Sequence, residues 1–464
     1  MKILIIGAGP AGLTAGYELV KNGHQVIILE KESQVGGISR TINYKGYLFD
    51  LGGHRFFTKY NEVEKIWKEV LPDDFLKRPR LSRIFFKGKF FYYPLKPFNA
   101  LINLGPARAV MAVLSYFKAR LFPYKNPDTF EKWVTNKFGR SLYKIFFKTY
   151  TEKVWGIPCS QISADWAAQR IKGLSLGTAI LNSFGFIKKE KIRTLIDEFY
   201  YPRRGPGQFW EKMASLIEEK GGKIILNAEA KAIYAEDNSV IISFENKGRL
   251  ESIKADRLIT SAPLKETVLS LNPKPPEIIY EAAQGLNYRD FFTACLIIDK
   301  ENIFPDNWVY IHSPEITAGR LQNFKNWSPE MVPDLSKTSL GLEYFCFQTD
   351  PIWSKPDVEL LEVAASDIEK LKMAVRSEIF DGTIIRVSKA YPVYDPDYRT
   401  KIAIIKSYLR QIPKVQVIGR NGLHRYNNQD HSMMMGIYAA RNIMGAELDV
   451  WDINVEEEYH EEKA

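Results

Sequence analysis

The first twelve residues restrict this chain more than any other feature. Lys2-Ile3-Leu4-Ile5-Ile6 is a short apolar run, and Gly7-Ala8-Gly9-Pro10-Ala11-Gly12 follows it as G-x-G-x-x-G, leading into a helix-forming stretch from Leu13 to Lys21. A strand, a tight turn and a helix start in that order form a dinucleotide-binding signature. Gly7 permits the turn, Gly9 lets main chain approach a pyrophosphate, and Gly12 lets the helix pack closely on the strand. Pro10 and Ala11 open the helix, whose N-terminal N–H groups and partial positive charge suit phosphates. Residues 25–29 read as the second parallel strand and end at Glu30, 23 residues beyond Gly7, where an acid should meet a ribose hydroxyl. These features together predict a dinucleotide site.

The next segment narrows the cofactor. Lys31-Glu32-Ser33-Gln34-Val35-Gly36-Gly37-Ile38-Ser39-Arg40 sets a glycine pair and a basic residue directly after the ribose acid. This resembles the extended motif of FAD enzymes, which implies main chain near the cofactor at Gly37 and Ile38, and Arg40 at its pyrophosphate. An apolar strand, Tyr47-Leu48-Phe49-Asp50-Leu51, then ends in Gly52-Gly53-His54. A second glycine pair there would let main chain lie against a flat ring, with His54 near the isoalloxazine.

Later segments resemble UDP-galactopyranose mutases in the same order along the chain. Thr151-Glu152-Lys153-Val154-Trp155-Gly156, with Asp165 and Arg170 beyond it, is similar to their Y-T-E-K-x-W-G segment, and Gly319-Arg320-Leu321-Gln322-Asn323-Phe324-Lys325 to their T-R-I-x-E-x-K stretch. Tyr201-Pro202-Arg203-Arg204-Gly205-Pro206-Gly207 resembles a region shared with protoporphyrinogen oxidases. Gly419-Arg420-Asn421-Gly422-Leu423-His424-Arg425-Tyr426 looks like the mutase G-R-L-G-T-Y-R-Y motif along the flavin. Two departures stand out. The mutase R-E-Y-S-R stretch appears as Leu342-Glu343-Tyr344-Phe345-Cys346, without either arginine, and His424 replaces a tyrosine.

The resemblance implies an α/β fold: a discontinuous Rossmann-like FAD-binding domain (1–80, 201–263 and 411–464), a mainly helical insertion (81–200) opening on a hairpin around Lys87-Gly88-Lys89, and a mixed-sheet substrate domain (264–410). It further implies cofactor contacts from Ala230, Gly419, Arg420, Tyr426 and Asn427, and substrate contacts from Trp155, Arg320, Tyr344, Tyr391, His424 and Arg425. Trp155 would stack on a base or sugar, and Arg320 would grip phosphate oxygens bidentately. His54 and Arg320 are the residues expected beside the reacting atoms. No Ser-His-Asp set or catalytic carboxylate pair is legible, as suits chemistry carried by a cofactor.

Composition bounds the rest. A chain of 464 residues suits two or three domains. No apolar run approaches a membrane span and the N-terminus enters a strand at once, so a cytoplasmic protein is expected. Cys159, Cys295 and Cys346 fit neither a disulfide framework nor a metal spacing, and none falls in the C-terminal flavin segment, so FAD is expected to be non-covalent. The histidines form no metal set. A net charge of +9 fits an anionic small substrate, and no nucleic-acid module is legible. The basic, amphipathic stretch from Pro106 to Tyr124 is read as a helix packing in the substrate domain, in preference to a peripheral membrane contact.

Two functions follow. As a mutase, the chain would isomerise a nucleotide sugar between pyranose and furanose through reduced flavin N5, with NAD(P)H a candidate reductant. As an oxidoreductase resembling protoporphyrinogen and amine oxidases, it would take a hydride from an amine, a porphyrinogen or a lipid. The mutase is the favoured expectation.

Overall fold

The structure is a computed structural model that describes residues 1–454 apart from 94, 96 and 165–197. Asp165, Arg170 and the tail from Glu456 lie outside the described residues. Three separated pieces of chain build one parallel sheet, ordered Val415–Val417, Arg257–Thr260, Lys2–Ile6, Gln25–Leu29 and Lys223–Ile225. Its strands are short and apolar on both faces because the helices Pro10–Lys21 and Pro206–Glu219 cover one side and a second sheet covers the other. The helix Pro10–Lys21 sits so close that a Cβ on Gly12 would lie 1.9 Å from the Gly7 carbonyl oxygen. The C-terminal helix Gln429–Ile443 packs on that first helix through Gly436, whose Cβ would fall 2.5 Å from the Ala11 carbonyl oxygen. Glycine at these two positions sets the layer spacing.

A four-stranded sheet (Ala228–Ala235, Val240–Asn246, Arg249–Ala255 and Leu271–Asn272) flanks this layer. The larger second unit is a seven-stranded sheet, ordered Ile379–Pro392, Tyr288–Ile298, Thr338–Cys346, Arg320–Asn323, Trp308–Ile311, Ser82–Phe86 and Lys89–Tyr92. All its pairings are antiparallel except that of Trp308–Ile311 with Ser82–Phe86. The hairpin expected at the head of the helical insertion is thus hydrogen bonded into this sheet. Tyr288–Ile298 is buried along its whole length, since it pairs on both edges and is covered on both faces.

Helices Pro106–Leu121, Phe130–Phe138 and Thr149–Trp155 follow the hairpin, the last preceded by a π-helical turn at Tyr143–Lys148. Lys153 within it clamps the loop that leads to Arg320. Its Nζ donates to the carbonyl oxygens of Ile311, Ser313, Ile316 and Ala318 at 3.2, 2.8, 2.6 and 3.3 Å. The helix Pro106–Leu121 departs from expectation: its large apolar side chains face outward.

Candidate active site

A cavity of about 410 Å³ runs from the carboxyl ends of the parallel strands to the seven-stranded sheet. Gly7, Gly9, Pro10, Ala11, Glu30, Lys31, Gly37, Ile38 and Arg40 line one end, and Ala230 with Ser261 the side. Gly12 does not face it and acts through packing. Glu30 is held by two main-chain donors. Its Oε2 accepts from the Ala8 N–H at 2.7 Å and its Oε1 from the Glu32 N–H at 3.0 Å. Burial raises its pKa, and those donors offset part of the rise. A carboxylate so fixed at the tip of the second strand is placed for ribose hydroxyls.

Among the described residues, polar atoms at the wall without protein partners include Arg420 Nε and its second guanidinium NH2, Asn421 Oδ1, Gln429 Oε1 and Trp308 Nε1. Buried polar atoms without partners call for a ligand. Gly9 and Gly37 bring two main chains together, since a Cβ on Gly37 would lie 3.2 Å from the Gly9 Cα. These features fit a dinucleotide with a flat ring.

At the far end, Gly52, Gly53, His54 and Gly419 to Asn421 meet a wall of Phe291, Trp308, Tyr310, Trp327, Tyr391 and Tyr426, and Asn427 also lines the cavity. Tyr391 stacks on Tyr426 (5.7 Å, 17°), and the Arg420 guanidinium lies 4.7 and 4.1 Å from those two ring centres. His54 Nε2 is 3.1 Å from the Leu51 carbonyl oxygen, and burial pushes its pKa down to about 4. It is neutral at physiological pH and brings no charge to the cavity.

Arg320 lines the cavity, but its charge is already engaged. It sits directly across from Glu343 on the neighbouring strand. Its Nε donates to Glu343 Oε1 at 2.8 Å and its terminal NH2 donates to Oε2, while Gln322 Nε2 adds a third donor at 2.6 Å. Glu343 is fully buried. Burial would lower the Arg320 pKa; the adjoining carboxylate outweighs it and holds the guanidinium charged. The result is a net-neutral pair rather than a free cation.

Several residues expected at the substrate lie elsewhere. Tyr344 alternates with Glu343, so it points into the core, stacks on Phe292 and reaches Asp367 at 3.2 Å. Leu342 and Cys346 share that buried face, so arginines at these positions would not have met the cavity. Arg425 donates to the carbonyl oxygens of Trp451 and Ile453, both at 2.7 Å, and ties down the C-terminal segment. Trp155 is buried behind the wall, stacked on Tyr394. Arg203, Arg204 and Arg289 do not line the cavity either. Arg203 pairs with Glu330, and Arg289 donates to three main-chain carbonyls and reaches Asp350.

His424 is also structural. Burial pushes its pKa down to about 4, with Nε2 3.2 Å from the Val393 carbonyl oxygen. An unfolded histidine titrates near 6.5. Between those values the unfolded chain binds a proton that the fold refuses, so stability falls as pH drops from 6.5 towards 4. The interval is worth about 3 kcal/mol. His424→Asn, an acceptable residue at its φ of 48°, is expected to flatten that part of a urea-midpoint-against-pH curve. An unchanged slope would contradict the assignment.

Comparison with known proteins decides the family. The model of flavin-containing amine oxidoreductases matches residues 10–402. The chain belongs to that family. As a flavin-containing amine oxidoreductase it is a flavoenzyme, and FAD is the dinucleotide its cavity is built for. In sequence it is similar to 15-cis-phytoene desaturase of Synechococcus elongatus, 24% identical over 453 residues, covering 87% of this chain and 89% of the relative. In structure it resembles reduced UDP-galactopyranose mutase (TM-score 0.85, 22% identity, 98% of this chain and 97% of the other) and a cofactor-binding variant of putrescine oxidase (TM-score 0.66, 15% identity, 96% and 98%). At such identities these likenesses show the fold.

Proposed function

We propose that this flavoenzyme is an oxidoreductase that removes a hydride from a substrate whose reacting end is uncharged and largely apolar. The pairing of Arg320 with Glu343 carries this reading. A nucleotide-sugar mutase must hold a diphosphate, and the cation aligned for that task is neutralised by a buried carboxylate. Two other cations on the lining are also engaged: Arg386 with Asp357 at 2.6 Å, and Lys389 with Glu266.

FAD, when bound, supplies the two-electron acceptor. Gly7, Gly9, Glu30 and Arg40 would hold its nucleotide half. Arg420, Tyr426 and the main chain at Gly52 and Gly53 would meet its ring. Phe291, Trp308, Tyr310, Trp327 and Tyr391 exclude water and orient an apolar substrate by contact area. Neutral His54 adds no charge of its own to the wall. None of the three cysteines lines the cavity, which supports non-covalent FAD. The desaturase similarity favours the same chemistry, and this reading requires no NAD(P)H.

One observation favours the mutase instead: the two unpartnered guanidinium nitrogens of Arg420 could donate to the oxygens of a diphosphate. Anaerobic titration of the yellow protein separates the two. Bleaching of one flavin per equivalent by an apolar amine or a polyene lipid is expected. Isomerisation of a UDP-hexose by the dithionite-reduced protein, without net flavin turnover, would overturn the proposal.

A further inference from the structure

The helix Pro106–Leu121 is built with its large apolar residues outward. At about 100° per residue, Val110, Leu114, Phe117 and Leu121 fall in one narrow stripe. Those side chains are 58, 63, 58 and 73% exposed. Met111 beside the stripe and Phe122 just beyond the helix are exposed as well, whereas the face turned inward carries Ala112 and Ala119. A helix of a globular protein normally does the reverse, and a contiguous exposed apolar face marks an interaction surface.

The charges indicate what covers it. Lys118 and Arg120, both exposed, flank the stripe at roughly 80° on either side. Their aliphatic stems can lie along an apolar surface while their heads reach a polar layer. From Phe75 to Pro127 the sequence holds eleven Lys and Arg residues and no Asp or Glu, against a net charge of +9 for the whole chain. A second copy of this face would set like charge against like. An anionic lipid surface would meet both the stripe and its flanks.

We propose that this helix docks the protein on an anionic bilayer, its axis in the interface plane, the stripe at the acyl boundary, and Lys118 and Arg120 among the lipid phosphates. No helix of the described residues is long and apolar enough to cross a membrane, so this contact is peripheral. The docking does not rest on the redox reading and holds whichever substrate the cavity takes.

Flotation of the full-length, flavin-loaded protein with phosphatidylcholine vesicles, with or without about 30% phosphatidylglycerol, tests it. Flotation with anionic vesicles at low salt, and its loss with neutral vesicles or high salt, is expected. Phe117→Glu with Leu121→Glu, and separately Lys118→Glu with Arg120→Glu, should each weaken binding about tenfold or more. All four sites are exposed, so flavin absorbance and melting should not change. Wild-type protein remaining unbound to anionic vesicles at low salt would overturn the proposal. So would binding that survives both double variants, or a dimer that Phe117→Glu dissociates in a protein that ignores vesicles.

Discussion

Gly12→Ala is expected to yield a protein that no longer retains FAD. The added Cβ would lie 1.9 Å from the Gly7 carbonyl oxygen and 3.2 Å from Ile5 Cγ2. The first contact is with main chain, so no rotamer change relieves it. Either the helix Pro10–Lys21 lifts from its strand or the Gly7 turn opens. Both movements displace the helix N-terminus from the phosphates it serves. Overpacking of this kind costs about 1–3 kcal/mol of stability. Because the strain falls on the phosphate turn, FAD affinity should drop on the order of 100-fold. Flavin-to-protein absorbance after gel filtration, compared with apoprotein retitrated with FAD, reads the loss. Gly23→Ala is the control. Gly23 has φ 75°, so alanine is strained there too, but nothing lies within 4 Å of its Cβ. It should lose some stability and keep its flavin. If Gly12→Ala stays yellow at wild-type affinity, the close approach does not govern the cofactor site.

The cofactor end was legible because local sequence determines it. The glycines at 7, 9 and 37, the acid at Glu30 and the glycine pair before His54 each do their work within a turn or strand end, where spacing along the chain fixes spacing in space. The substrate end is different. Whether a strand residue faces the cavity depends on pairing with a strand distant in sequence, and a shift of one residue reverses every side chain. Tyr344 and Glu343 show the consequence: adjacent in one motif, they point to opposite faces, and the charged one pairs with Arg320. His424 and Arg425 follow the flavin-edge turn, yet the left-handed backbone at 424 turns both away from the cavity. Trp308, Tyr310 and Trp327 belong to no motif, and only the sheet brings them together. The outward helix is half legible: the absence of any acid between Phe75 and Pro127 is a plain property of the sequence, whereas the inversion of its apolar face requires the fold.

The Arg320–Glu343 pair makes the largest testable claim about the cavity. Glu343→Gln should destabilise the protein by about 3–5 kcal/mol, because it leaves a buried guanidinium without its countercharge. Gln322 cannot compensate, since its amide nitrogen also donates to the lost carboxylate. Two further measurements separate this from ordinary core damage. Adding Arg320→Met to a Glu343→Leu background should restore much of the stability, since an apolar replacement of both partners leaves no buried charge. The single Glu343→Gln variant should also acquire anion binding: sulfate or UDP should raise its melting temperature and leave the wild type unchanged. Such a gain would show that one carboxylate keeps this cavity from being a phosphate site, which is the ground for reading it as an oxidoreductase. A Glu343→Gln variant as stable as the wild type, or a wild type that UDP stabilises equally, would remove that ground and return the diphosphate-binding reading to first place.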